Sequence, residues 1–272
     1  MNIYNELRIR TGRLLPRRFH CYCIGAAKTA TTSVSSMFKQ NFDASHEPEI
    51  RQTNHTIIDY LENRIDRTAL LAAIEQRDLR LKLEMESTHS LIYIAKELVE
   101  LFPQAKFIVT VREPMAWLRS RINFHFKKHP PEWEEYRQYF WMDRNTGYAP
   151  EETLLLENGL ASLDTYLSQY AEHYQLASAC LPDERCLFIT TRDISNQRKQ
   201  IADFLNIHEH QINLAHANSE PDKASFIQEI NEDFIIRKIW FHCEPLIREF
   251  FPERISFYEN RLVSRNHSAT TQ

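Results

Sequence analysis

The chain has 272 residues, 43% hydrophobic and 26% charged, with a formal net charge of −4, which is the composition of a globular protein with one sizeable core. That balance gives no concentrated basic face for nucleic acid, and no apolar run approaches the ~18–20 residues needed to span a bilayer. The five cysteines form no C-x-x-C and the first residues lack an apolar h-region, so reduced thiols and a cytoplasmic location are expected.

In chain order, the first predicted strand is 19–25 (FHCYCIG), apolar at nearly every position, as for a strand buried on both faces of a parallel sheet. A helix follows over 31–39. Residues 78–86 (DLRLKLEME) alternate strictly, with Leu79, Leu81, Leu83 and Met85 on one side and Arg80, Lys82, Glu84 and Glu86 on the other, and predict a strand. Segment 89–102 reads as an amphipathic helix stopped by Pro103, and 105–111 (AKFIVTV) as a second buried strand. Pro114 suits the first turn of the next helix. From 127 to 180 there is no strand signal, which predicts a helical insertion or cap; apolar residues at 156, 160, 163, 167, 170 and 174 place a helix over 154–176. A strand at 185–190, a mostly helical 224–251 and a frayed tail at 264–272 complete the chain. Strands alternating with helices predict an α/β fold, a central parallel sheet flanked by helices, in a single domain over 1–272.

Glycine use narrows the function. There are four glycines, no two closer than twelve residues, so both G-x-G-x-x-G and the Walker A pattern are absent. What remains after the first strand is GAAKTATT, 25–32. If it links a strand to a helix, the first helical amides and the macrodipole face an anion there. Thr31, Thr32 and Ser33 add hydroxyls, and Lys28 adds a positive charge. A second phosphate has no cradle, and the strand at 105–111 ends in Arg112 where a metal-binding NTPase would carry an acid. The loop suits one 5′ phosphate without a metal. The bland alternative is a Thr/Ser-rich helix start with Lys28 solvated. A second motif, FIVTVREPMAWLRS, ends its strand with Arg112, starts a helix at Pro114 and places Ser120 eight residues beyond the arginine. An arginine fork and a helix serine can close on another phosphate.

Together the two motifs resemble the sulfotransferases that use 3′-phosphoadenosine 5′-phosphosulfate (PAPS), whose loop has the form G-x-x-K-[TS]-G-T-[TS] and whose second motif is R-[DE]-P with a serine eight residues after the arginine. The resemblance covers 19–45 and 80–126, and more loosely 185–207. It implies a P-loop-NTPase-like sheet, and PAPS as co-substrate with no metal. It also implies donor binding by Gly25, Ala27, Lys28, Thr29, Ala30, Thr31, Thr32, Arg112 and Ser120. The look is that of bacterial natural-product sulfotransferases. Three departures stand out. Ala30 replaces the loop glycine and tolerates positive φ poorly, so the turn is either helical there or remodelled. EMESTHS, 84–90, stands where K-S-P-x-Y is common. No R-K-G follows near the C-terminus, leaving Lys223 as a substitute.

In that reading Lys28 stabilises charge on the departing oxygen, and a base takes the acceptor's proton. The base candidates, in order, are Glu47, His89, Glu86 and Glu49, with His46 and Glu84 also open; each taken singly is more often a surface group. So many acids near an acceptor site favour a neutral or cationic small molecule, with a homodimer left open as the assembly. Trp117 and Phe124 share a helical face with Ser120, for adenine stacking or for core. Arg192 is set to line the nucleotide site or to pair with Asp193, and His208 with His210 reads as solvated. The competing functions are a Mg-ATP-dependent P-loop kinase or NTPase and a non-catalytic nucleotide-binding member of the fold.

Overall fold

The computed structural model describes residues 16–127, 130–214 and 226–263; Lys223 and the tail from 264 lie outside them. The chain divides into two compact units, 1–111 with 176–219 and 112–175 with 220–272.

The first unit holds a five-stranded sheet in the order β2-β3-β1-β4-β5, formed by β1 (Cys21–Cys23), β2 (Ala44–His46), β3 (Met85–Ser87), β4 (Lys106–Val111) and β5 (Cys186–Thr190). Every pairing is parallel, so each crossover carries helices back across a face. The helices are α1 (Thr31–Phe38), α2 (Ile50–Leu61), α3 (Arg67–Leu81) and α4 (Ala95–Leu101). Side chains alternate across the sheet. Cys21, Cys23 and Ile108 meet Val34, Met37 and Phe38 of α1 and Ile201 and Leu205 of a helix after β5 in one buried cluster. Tyr22 faces the other way, stacked on Phe107 at 5.8 Å.

The alternating stretch 78–86 is a strand only at Met85 and Glu86. α3 runs through Leu81, Lys82 closes it in a left-handed cap with its amide on Asp78 O, and β3 begins at Met85. The apolar alternation misleads because Leu79 points into solvent, 76% exposed, while Leu70 and Ile74 make the buried stripe. β2 escapes a hydrophobic pattern altogether: it is ASH, a half-buried edge strand.

In the second unit, α5 (Pro114–Lys127) starts at Pro114 as expected, and the 127–180 region is helical in every regular element described. The helix expected over 154–176 is two. α7 (Thr153–Glu157), which follows the short α6 (Glu134–Arg137), stops before Gly159 at φ +61°, and α8 (Leu163–Cys180) begins afresh. Buried Glu152 fixes the restart, accepting from the amides of Leu163 at 2.5 Å and Ala149 at 2.7 Å. After α9 (Arg198–Leu205), which belongs to the first unit, α10 (Glu232–Phe250) and α11 (Ile255–Val263) complete the second.

Candidate active site

The loop between β1 and α1 is built by close approach and by strained backbone. A side chain at Gly25 has no room: its Cβ would lie 1.9 Å from Thr110 Oγ1 and 2.5 Å from Thr110 N on the neighbouring strand. Lys28 and Ala30 both hold left-handed backbone, at φ 70° and 65°. Ala30 is therefore neither helical nor remodelled; it keeps the conformation a glycine would take, at a cost of about 1–2 kcal/mol for an L-residue. Thr29 between them is buried, and its hydroxyl donates to Ala26 O at 2.5 Å while lying 2.6 Å from Thr110 Oγ1. That hydroxyl folds the loop and is not directed at a ligand.

Ala30 is also the N-cap of α1 and has no side chain to cap with. The first-turn amides of Thr31, Thr32 and Ser33 thus face the loop without a side-chain acceptor from the cap, the arrangement that receives an anion. Ala30→Gly is expected to be neutral or stabilising by up to about 1 kcal/mol, where the same change inside a helix costs about 1 kcal/mol. A urea midpoint that falls by the full helical cost would show the position is not left-handed in solution.

The carboxylates sort by partner. Glu84 is buried and held by Arg18 Nε and Nη2 at 2.8 and 2.7 Å and by the Arg18 and Asp43 amides. Burial pushes its carboxyl up, and these bonds outweigh the burial and hold it below the ordinary range. Glu86 takes both Arg77 nitrogens at 2.7 Å and the Thr88 hydroxyl at 2.8 Å. Glu49 takes Arg80 at 2.6 and 2.9 Å, which lowers its carboxyl. Arg77 also donates to Pro48 O at 3.0 Å and Thr53 Oγ1 at 3.0 Å.

Glu47 differs. Its Oε1 lies 3.3 Å from His89 Nδ1 and its Oε2 3.6 Å from His46 Nδ1, and its amide donates to Ser87 O at 2.9 Å. The turn that carries it is strained, with Glu47 and Glu49 both at φ 52°, and strain of this kind gathers at working sites. The other nitrogen of His46 reaches the loop, 3.3 Å from Thr31 Oγ1 and 3.1 Å from Thr32 Oγ1. His46, Glu47 and His89 therefore stand together beside the first turn of α1, and the paired Glu49, Glu84 and Glu86 do not join them. The acidic mouth expected from the sequence is largely cancelled by arginines.

The second motif follows β4, the strand beside β1. Tyr170 grips the backbone of Arg112, its hydroxyl accepting from the Arg112 amide at 3.1 Å and donating to the Arg112 carbonyl at 2.5 Å. Burial raises the Tyr170 phenol well above its ordinary value, so it stays a donor. Trp117 stacks on Tyr170 at 3.9 Å and is core. Glu113 caps α5 through the Ala116 amide at 2.9 Å and receives the Tyr258 hydroxyl. Ser120 lies half-buried in the second turn of α5. Tyr170 and Tyr258 carried no signal in the sequence, because a support 58 or 145 residues from its motif shows only in the fold. Arg192 is exposed after β5. His208 and His210 stack at 5.3 Å, and among the described residues no three His, Cys, Asp or Glu side chains gather to hold a metal.

A five-stranded parallel sheet flanked by helices, whose first strand runs through a lysine-bearing turn into a helix, defines a P-loop-like α/β protein. The sequence pattern of the sulfotransferase domain matches residues 21–222, and the chain belongs to the sulfotransferase family. No curated protein matches it. Among solved structures, the sulfotransferase from Alicyclobacillus acidocaldarius is similar at 16% identity, over 82% of this chain and 94% of that one, with a TM-score of 0.46. Among the described residues no helix is long and apolar enough to cross a membrane.

Proposed function

We propose that this sulfotransferase moves the sulfuryl group of PAPS to a hydroxyl or amine of a small, neutral molecule. The observation that carries the reading is the first turn of α1, without a side-chain cap and three residues after Lys28, with Glu47 between two imidazoles of which His46 reaches Thr31 and Thr32 of the same turn. The first-turn amides and the Thr31 and Thr32 hydroxyls bind the 5′-phosphate, and Arg112 with Ser120 binds the 3′-phosphate. Gly25, Ala27, Thr29 and Ala30 contribute loop shape. PAPS, when bound, supplies a sulfur whose bond to the bridging phosphate oxygen breaks as the bond to the acceptor forms. Lys28 neutralises the charge left on that oxygen. Glu47 takes the acceptor's proton, with His89 orienting the carboxylate.

The pairing of the nearby charges supports a neutral acceptor. A cavity of about 270 Å³ is bordered by Glu49 and Leu91, two residues beyond Glu47 and His89, and walled by Tyr22, Ile57, Ile74 and Leu98. Its charged borders are compensated, Glu49 by Arg80, Arg77 by Glu86 and Asp78 by Arg17. Since benzene fills a cavity of about 150 Å³, this one suits an uncharged body somewhat larger than a single ring.

The test is calorimetric titration with 3′-phosphoadenosine 5′-phosphate (PAP), beside ATP, each with and without Mg²⁺. Metal-independent binding of PAP that Arg112→Ala weakens by at least about tenfold, the worth of one charge-assisted contact, is expected. Binding of ATP only with Mg²⁺ would sink the reading and favour a kinase.

A further inference from the structure

His46 joins the two halves of the proposed site. It ends β2, with its side chain 20% exposed. Its Nε2 faces the hydroxyls of Thr32 at 3.1 Å and Thr31 at 3.3 Å, and its Nδ1 faces Glu47 Oε2 at 3.6 Å. Each hydroxyl has one proton to give. When Nε2 is bare it can only accept, so a hydroxyl bonded to it points its proton at the ring and offers the loop an oxygen lone pair. That is the wrong polarity for a phosphate. When Nε2 carries a proton the hydroxyl oxygens accept from the ring, and their protons turn toward the loop. Nδ1, facing a carboxylate, is best satisfied as a donor as well. Only the imidazolium donates on both sides at once; the neutral ring with its proton on Nδ1 donates to Glu47 but accepts from a threonine.

We propose that His46 is a positioning residue for the donor: it sets the direction of the Thr31 and Thr32 hydroxyl protons, and a phosphate arriving in the loop draws a proton from solution onto its ring. The proposal rests on the loop being the phosphate site described above.

The surroundings of the ring agree. Burial lowers its proton affinity below the ordinary histidine value, Glu47 raises it, and His89 and Lys39 lower it further. Without an anion the ring is therefore neutral near pH 7.5. A dianion on the loop adds a second negative charge beside it and favours the charged form. Because the bound state holds the extra proton, affinity weakens as pH rises, by up to about tenfold per pH unit between the free and bound values of the ring.

The experiment is titration with PAP at pH 7.5 in two non-phosphate buffers of different ionisation enthalpy, which counts protons taken up per nucleotide. The monoester groups of PAP have lost most of their second proton at that pH, with second pKa values of about 6, and a non-titrating variant removes what they contribute. His46→Gln keeps an N–H for the two threonines and cannot titrate; His46→Leu keeps neither property. Wild type is expected to take up between about half a proton and one proton more than His46→Gln. His46→Gln should hold its affinity at pH 8.5, and His46→Leu should bind at least about tenfold more weakly than His46→Gln. Thermal midpoints within a degree or two establish that the variants are folded. Equal proton counts in wild type and His46→Gln overturn the proposal while leaving the donor site standing. Failure of wild type to bind PAP would instead remove the phosphate reading of the loop, and this inference with it.

Discussion

Glu47→Gln is expected to slow sulfuryl transfer to an aliphatic alcohol by about 10²–10⁴-fold, the usual worth of a positioned general base, without moving the thermal midpoint. Glu47 is singled out by its partners. Arginine bonds hold the Glu49 and Glu84 carboxyls below their ordinary range, and the oxygens of Glu86 are both occupied by Arg77. Glu47 faces two imidazoles, His46 and His89, and stands beside the first turn of α1. The check is turnover of radiolabelled PAPS with a panel of alcohols and phenols. The loss should fall on the alcohols, whose protons need a base, and nearly vanish for an acidic nitrophenol that is already ionised. A uniform loss across the panel would mean that Glu47 holds the acceptor or the loop, and that the base lies elsewhere.

Arg77→Met should destabilise the fold by about 3–5 kcal/mol, because it strands a buried carboxylate. Glu86 is 4% exposed and takes two bonds from that guanidinium. The same arginine ties Pro48 O and Thr53 Oγ1, so the strained turn carrying Glu47 loses its anchor together with the ion pair. Arg80→Ala is the control. Its pair with Glu49 has a comparable bidentate geometry, but Arg80 is more than half exposed, and such pairs are worth about 0–1 kcal/mol. Urea denaturation of both variants, with Arg77→Met/Glu86→Gln as the double change, decides the point. If the double variant is no more stable than Arg77→Met alone, the cost is lost packing and not a stranded charge.

Part of the candidate site was legible because its motifs are local. Gly25, Lys28, Thr31 and Thr32 fall within one strand–turn–helix, and Arg112, Pro114 and Ser120 within another, so spacing alone carries each motif. Long-range support is not written that way. Tyr170 on the Arg112 backbone and Tyr258 on Glu113 belong to helices far along the chain. Charge pairing is equally invisible in a linear reading. Glu84 and Glu86 look like two free acids on one strand face, until Arg18 and Arg77 arrive from other elements to cancel them.

By itself the sequence determined the α/β class, through continuous apolar runs at β1 and β4 that only a sheet covered on both faces tolerates, and the strand–turn–helix around GAAKTATT, through its turn chemistry. Tertiary structure decided what local pattern leaves degenerate. The alternation of 78–86 fits a strand and also the end of a helix with one exposed leucine, and packing of Leu70 and Ile74 chose the helix. Ala30 resists left-handed backbone, yet the strand-to-helix connection imposes it. Six acidic and imidazole side chains competed as the base; three of them are taken by arginines, and His46, Glu47 and His89 converge where β2 and β3 end beside the first turn of α1. Proton affinity depends on partners within a few ångströms, and those partners are fixed only when the chain has folded.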